Sequence, residues 1–425
     1  MKKKFIAVLM GAVMMMSLAA CASGEETQTG GDSGKESGDK IELTFWMMAS
    51  RQDAFDPMTE AFNAENDDIE VTVSYYDADA IKDACKVAAS SDTLPDMWFN
   101  WGGSLGNFYT ENGKTYDLTK FAEENNWDEK FTPSALSLCT LSDQLSGYPT
   151  SYNVIGVYYN KAVFDQCGLE VPTTFEEFEN ACATLKENGI TPISTGGLHG
   201  DHLMRFTEQL IENAAGSELH DKMNTFEESW DNESTVKAFE KYKEFVDKGY
   251  LPEGFITADP NDALMNLTSG KCAMQFEGQW TDGSLITNGL NPEDFGVFAF
   301  PSGDEHRMSA FCEMTQFNAN LTEEELAAAV KYMDYCYNKE NIDAYGQYLS
   351  LPIPTLDAEM PADQPNVKTL IDMSNENGIF TITDQAMPTE VVDVFFSAQE
   401  GVATGEMTPE QAAQSIQAAV EAAEN

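Results

Sequence analysis

Residues Gly147 to Phe178 read GYPTSYNVIGVYYNKAVFDQCGLEVPTTFEEF, and two physically different patterns lie back to back in them. Val154 to Tyr159 is an apolar run of the length a buried strand needs. Thr174-Phe175-Glu176-Glu177 is a capping box, in which the threonine hydroxyl takes the backbone N–H three residues on and the glutamate reaches back to the cap. The helix it opens is expected to bury Phe175, Phe178, Cys182 and Leu185 on one face. A strand running into a helix in this way is the unit of an α/β fold.

The alternation extends outward in both directions. Ile41 to Trp46 alternates apolar and polar residues and precedes a helix with Phe55, Met58 and Phe62 on one face. Val71, Val73 and Tyr75 mark a second strand, and Asp96 to Trp101 a third after Leu94-Pro95. Further on, Ser234 is expected to cap a helix carrying Val236, Phe239 and Val246 that stops at Gly249. Cys272 to Glu277 and Phe295 to Phe300 read as strands. Thr322 to Glu325 caps a helix bearing Leu326, Val330, Met333 and Tyr337. Thr408-Pro409-Glu410-Gln411 opens the last helix with proline at its first position. No internal repeat is visible, and the chain beyond Lys40 is long enough for two domains.

The first 39 residues read differently. Lys2, Lys3 and Lys4 precede an almost unbroken apolar stretch from Phe5 to Ala20, too short for a comfortable permanent span. That order predicts a secretory signal peptide over residues 1–20. It ends in Leu18-Ala19-Ala20-Cys21, which resembles the lipobox of bacterial lipoproteins. The resemblance implies lipidation of Cys21 and anchoring by lipid rather than by a membrane span. Residues 22–39, ASGEETQTGGDSGKESGD, hold no large apolar side chain. They cannot offset their ordering entropy and are expected to form a disordered tether, reaching roughly 20–25 Å root-mean-square.

Composition bounds the rest. With 24 basic against 72 acidic residues, the formal net charge is −48, a field that repels nucleic acid and anionic headgroups and favours solubility. Hydrophobic content of 42% supports real cores. Seven cysteines remain beside Cys21: Cys85, Cys139, Cys167, Cys182, Cys272, Cys312 and Cys336. An odd number cannot all pair within the chain, and there is no CxxC. Cys182, Cys272 and Cys336 are expected to act as small core hydrophobes, a usage that hints at an anaerobic habitat. His199-Gly-Asp-His202 lacks the rest of a metal shell, so neither a metal nor a cofactor is expected.

Five segments in order resemble the carbohydrate-binding family of extracellular solute-binding proteins, which includes maltose-binding protein. IELTFW resembles its first strand, and LPDMWFNWGG its strand leading into the cleft. The Gly147–Phe178 run resembles its most specific segment, with Phe175 where tryptophan is more usual. GKCAMQFEGQW and FGVFAFPSG resemble its later strand and turn. The resemblance implies a two-lobed, periplasmic-binding-protein-like α/β fold with crossing hinge strands and a ligand cleft between the lobes. Carried onto this chain, it puts residues 40–153 and 311–354 in lobe one and residues 154–310 and 355–425 in lobe two. Crossings would lie near Asn153-Val154 and Phe311-Cys312.

A neutral sugar offers an apolar C–H face and a rim of hydroxyls, so its cleft needs planar aromatics together with amide or carboxylate groups. Trp46, Trp101 and Trp280 stand at strand ends, where ligands of α/β sheets sit. Trp101 follows Asn100, and Trp280 follows Glu277 and Gln279. Tyr152 and Asn153 precede a crossing; Glu313 follows the return crossing. Arg205, one of few cations, binds a hydroxyl or pairs with an acid. The expected ligand is thus a carbohydrate, an oligosaccharide by preference. It would be delivered to the permease subunits of an ABC importer by a monomer held at the outer face of a Gram-positive cell membrane. A polyamine or peptide ligand is the alternative, and a secreted glycoside hydrolase or an adhesin stands further off. A hydrolase needs two carboxylates about 5–10 Å apart, which 72 acids supply by chance. GxSxG, HExxH, P-loop and GxGxxG signatures are missing from the sequence.

Overall fold

Strand Ile41–Met48 buries Leu43, Phe45 and Met47 while Glu42 and Thr44 face outward, the period-two alternation of a pleated strand. The computed structural model describes residues 40–303, 305–349, 351–359 and 362–423; the expected signal peptide, Cys21 and the tether lie outside them. Ile41–Met48 pairs in parallel with Ile69–Tyr76, in unbroken register from Ile41↔Ile69 to Met48↔Tyr76. A parallel pair needs a crossover, supplied by helix Gln52–Glu65, whose Phe55, Met58 and Phe62 are buried. Strand Met97–Asn100 flanks the first strand on its other side, again in parallel.

The Gly147–Phe178 segment forms a strand twice as long as its apolar run. It extends from Tyr148 to Asn160 because its two halves find different partners. Residues 148–154 pair antiparallel with the return strand Met308–Phe317, with Tyr152 opposite Cys312, Asn153 opposite Phe311 and Val154 opposite Ala310. Residues 155–160 pair instead with Cys272–Gly278 and Phe295–Phe298. The return strand pairs on its far side with Met97–Asn100. One strand thereby takes part in both halves of a nine-stranded mixed sheet.

Two large apolar cores change over along these strands. The first takes Leu43 through Tyr148 and resumes from Cys312 to Ile353. The second runs from Ile155 to Phe300, with Phe311 and a C-terminal portion from Ile382 to Val420. Six of the seven described cysteines are buried, Cys167 partly, and all seven are free.

The capping boxes at Thr174 and Thr322 form as expected, and Thr408 exchanges the same pair of bonds with Gln411. Other local expectations need correction. Ser234 is not a cap: Asn232 caps helix Glu233–Asp247, its side chain accepting from the amides of Ser234 (2.8 Å) and Thr235 (3.0 Å). The buried stripe is accordingly Thr235, Ala238, Phe239, Tyr242 and Phe245. Phe175 is only half-buried, whereas Phe178, Cys182 and Leu185 are fully covered. Two strands are shorter than expected, Met97–Asn100 and Phe295–Phe298.

Candidate ligand-binding site

At the end of Met97–Asn100 the chain turns through Trp101 into helix Gly103–Glu111. Gly103 has φ 51°, and a Cβ there would come within 2.5 Å of Gln385, so glycine is required for the Thr383–Ala386 turn to abut this point. Ser104 Oγ donates to the Asp384 carbonyl at 3.2 Å across the same junction. Trp101 is half-buried and packs against both large cores. It meets Phe99 edge-on at 4.7 Å and carries the Lys82 ammonium 4.9 Å over its ring. Asn100 donates to Gln316 Oε1 at 2.9 Å, leaving its own buried carbonyl oxygen without a partner among the described residues. Lys82, Asn100 and Trp101 share the wall of a crevice of about 20 Å³.

The end of Cys272–Gly278 is built on the same plan with different chemistry. Glu277 is buried and accepts from Arg205 at 2.7 Å on Oε2. Its Oε1 faces His202 Nδ1 at 3.2 Å and Gln275 Nε2 at 3.1 Å. Burial alone would raise the Glu277 pKa, but the Arg205 charge, with His202 behind it, brings it down to about 2. Arg205 also stacks 5.4 Å over Trp280. Any side chain at Gly278 would strike the Trp280 ring. Gln279 spends both ends of its amide on the long strand: the oxygen accepts from the Val154 amide at 2.8 Å, and the nitrogen donates to the Tyr152 carbonyl.

A third group lies where the long strand and the return strand pair. Glu313 is buried in an ion pair with Arg51 and accepts from Ser151 Oγ at 2.7 Å. Asn153 Nδ2 donates to the same hydroxyl at 2.7 Å, while its Oδ1 has no partner among the described residues. Arg51 lies 4.9 Å over Phe99, which also meets Trp101 edge-on. Tyr152, between Ser151 and Asn153 in the strand, is half-buried on the other face, packed against a smaller apolar cluster that includes Leu285 and Leu370.

A profile of the family described as bacterial extracellular solute-binding protein matches residues 57–373. The chain belongs to this family. It is 27% identical over 315 residues to the multiple sugar-binding protein of Streptococcus mutans, covering 69% of each chain. It is 26% identical over 310 residues to the diacetylchitobiose binding protein DasA of Streptomyces coelicolor, covering 71% of this chain and 70% of that one. The solved structure of a chitin oligosaccharide binding protein superposes with a TM-score of 0.82 at 22% identity, over 91% of this chain and all of that one. The two-lobed α/β architecture expected from the sequence is that of the solute-binding family. Among the described residues, no helix is long and apolar enough to cross a membrane.

Within this solute-binding fold, the structure joins Arg205, Glu277 and Trp280 directly, ties Gln279 to Tyr152, and links Asn153 to Glu313 through Ser151. Trp46 stands apart from these contacts, half-buried against Tyr76 at 5.1 Å on the rim of the first core. Arg51, Lys82, Ser151 and Asp384 were not singled out from the sequence, and His202 was weighed there only as a metal ligand. One signal was available for the first: the chain holds three arginines, Arg51, Arg205 and Arg307. Each is buried against a glutamate, respectively Glu313, Glu277 and Glu212. A larger cavity of about 920 Å³ is lined by residues outside the expected set, including Lys130, Tyr148, Tyr337, Gln347 and Gln364.

Proposed function

We propose that the chain captures a carbohydrate outside the cell, an oligosaccharide by preference, and delivers it unchanged to the permease of an ABC importer. The observation that carries this reading is the pair of half-buried tryptophans at strand ends, Trp101 packed against both cores and Trp280 against the second. Each stands beside hydrogen-bonding groups: Asn100, whose side-chain oxygen has no partner among the described residues, next to Trp101, and the Arg205–Glu277 pair next to Trp280. Flat apolar faces ringed by amides and charges are what a sugar requires. The sugar-binding names of the relatives point the same way.

In this reading, lobe one comprises residues 40–153 and 311–354 and lobe two residues 154–310 and 355–425, and a monomer closes over its ligand. The hand-over between the two apolar cores supports those limits. Binding without turnover is supported by the family and by the relatives, which are named as binding proteins. Lys2 to Lys4, the apolar stretch and Cys21 support secretion and lipid anchoring to the outer face of a Gram-positive membrane, with residues 22–39 as tether.

A thermal-shift screen against mono- and oligosaccharides tests the central claim. A cognate sugar at about 100 times its dissociation constant adds roughly 2.7 kcal/mol; a panel in which polyamines or peptides shift the melting point and sugars do not would replace the reading. Cys21→Ser is expected to release the protein into the medium or leave the precursor unprocessed. Unchanged membrane retention with normal processing would remove the anchor from the proposal.

A further inference from the structure

The Sγ atoms of Cys139 and Cys312 lie 3.5 Å apart, and among the described residues no other two thiols come within hydrogen-bonding distance. Cys139 ends helix Pro133–Leu138 and is fully buried. Cys312 sits in the return strand opposite Tyr152 and is 1% exposed. Both belong to the first core. Of the other five described thiols, Cys85 and Cys336 lie in the first core, Cys182 and Cys167 in or against the second, and Cys272 is buried outside both. A secreted chain meets disulfides where a cytosolic one does not, and two sulfurs already in contact need to close by only about 1.5 Å to reach bonding distance.

We propose that Cys139 and Cys312 form a native disulfide when the chain folds in the presence of a disulfide oxidant outside the cell. One thiol loses its proton, and the thiolate attacks a sulfur of the oxidant, expelling one thiolate and leaving a mixed disulfide on the protein. The second thiol then loses its proton and attacks the protein-side sulfur, expelling the other thiolate. Two protein thiols give up two electrons to become one disulfide; the oxidant gains them, and with the two protons it becomes two thiols. Burial pushes the Cys312 thiol up, and the neighbouring Cys139 adds to the effect. The exchange therefore belongs to the folding chain, before the core closes over the sulfurs. The cross-link joins positions 173 residues apart and encloses the second core from Ile155 to Phe311, leaving its C-terminal portion from Ile382 to Val420 outside. It constrains the unfolded chain heavily while both its anchors stay within the first core.

The test unfolds and reduces the full chain, then refolds it in a reduced and oxidised glutathione buffer. Remaining thiols are blocked by alkylation, and peptides are mapped by mass spectrometry without reduction. The expected result is a Cys139–Cys312 peptide 2 Da lighter than the sum of its free parts, with Cys85, Cys167, Cys182, Cys272 and Cys336 alkylated. The linked form should melt roughly 5 °C or more above the reduced form. Cys139→Ala and Cys312→Ala should each abolish both the peptide and the shift. The comparison of oxidised with reduced wild type needs neither variant to fold. Full alkylation of Cys139 and Cys312 after oxidative refolding would overturn the proposal. So would their appearance with other partners as often as with each other, or a linked form that melts below the reduced one.

Discussion

Trp101 and Trp280 each carry a cation on one face, but the two cations are held in different ways. Over Trp280 lies a guanidinium, 9% exposed and bonded to a buried carboxylate. Over Trp101 lies the ammonium of the half-buried Lys82, carried on helix Ala78–Ser90. A planar fork locked by a carboxylate loses little further freedom by stacking on a ring, and the Lys82 ammonium acts by its charge on Asp201 and Asp384. The Trp280 side of the candidate site is therefore fixed by a short, buried ion pair, and the cation on the Trp101 side answers to a different set of acids.

The most severe way to break that contrast is Arg205→Met, which leaves Glu277 buried with its main counter-charge gone. Loss of about 3–5 kcal/mol of folding stability is expected, measured by urea unfolding. Pairing it with Glu277→Gln should restore most of the loss, because the pair is removed together. A loss under about 1 kcal/mol in the single variant would mean the Trp280 side is not held by this ion pair.

Next in size are the indoles themselves. Trp280→Ala and Trp101→Ala should each weaken sugar binding by about 2–4 kcal/mol, with a smaller cost to the fold. Trp230, which is fully buried, supplies the control: Trp230→Ala should cost roughly 3–5 kcal/mol of stability. If Trp101→Ala unfolds the protein as readily as Trp230→Ala yet keeps native affinity, Trp101 belongs to the core and not to the cleft.

The acids near Arg205 sharpen the comparison through pH. Glu208 is fully buried and accepts from the Thr383 amide at 2.9 Å; burial pushes its pKa up to about 7. Asp384 rises to about 6, through burial and then the Asp201 charge. Acids with raised folded values bind protons that the unfolded chain releases, so their contribution is present below the ordinary carboxylate range and fades as pH climbs to 7. Glu277, depressed to about 2, works in the opposite sense and costs stability only as pH falls from about 4 toward 2. Glu208→Gln should flatten the decline in melting temperature between pH 5 and 7, a change on the order of 2 kcal/mol. An unchanged slope would remove Glu208 as its source.

Lys82→Met is expected to do least, altering stability and sugar affinity by no more than about 1 kcal/mol. An effect as large as that of Arg205→Met would erase the distinction between the two sides.

Local chemistry carried most of what could be read in advance. The boxes at Thr174, Thr322 and Thr408 act over three residues, so the sequence displays them whole. At the Glu233–Asp247 helix the same kind of reasoning took Ser234 as the cap, two residues past Asn232, which holds that position in the structure. The full length of Tyr148–Asn160 was hidden because Tyr148 to Asn153 are mostly polar and become strand only by pairing with a partner about 160 residues away, as Ser151 does with Glu313. Distance in sequence also concealed the ion pairs: Arg51 meets Glu313 across 262 positions and Arg205 meets Glu277 across 72. Tryptophans at strand ends were legible as a set, yet nothing in the sequence distinguishes Trp46, resting on Tyr76, from Trp101, wedged between the cores.

The three arginines leave a practical mark on the folded molecule. Arg51 lies in the first core's ion pair, Arg205 in the second core, and Arg307 is bound to Glu212 and Asp221 beside Phe380. An arginine-specific endoprotease therefore finds its three substrates shut away while abundant lysines stand in the open. Cutting waits on opening, and each site yields fragments of a different length. The order in which those fragments appear during digestion tells which part of the protein loosens first, with no label or probe attached.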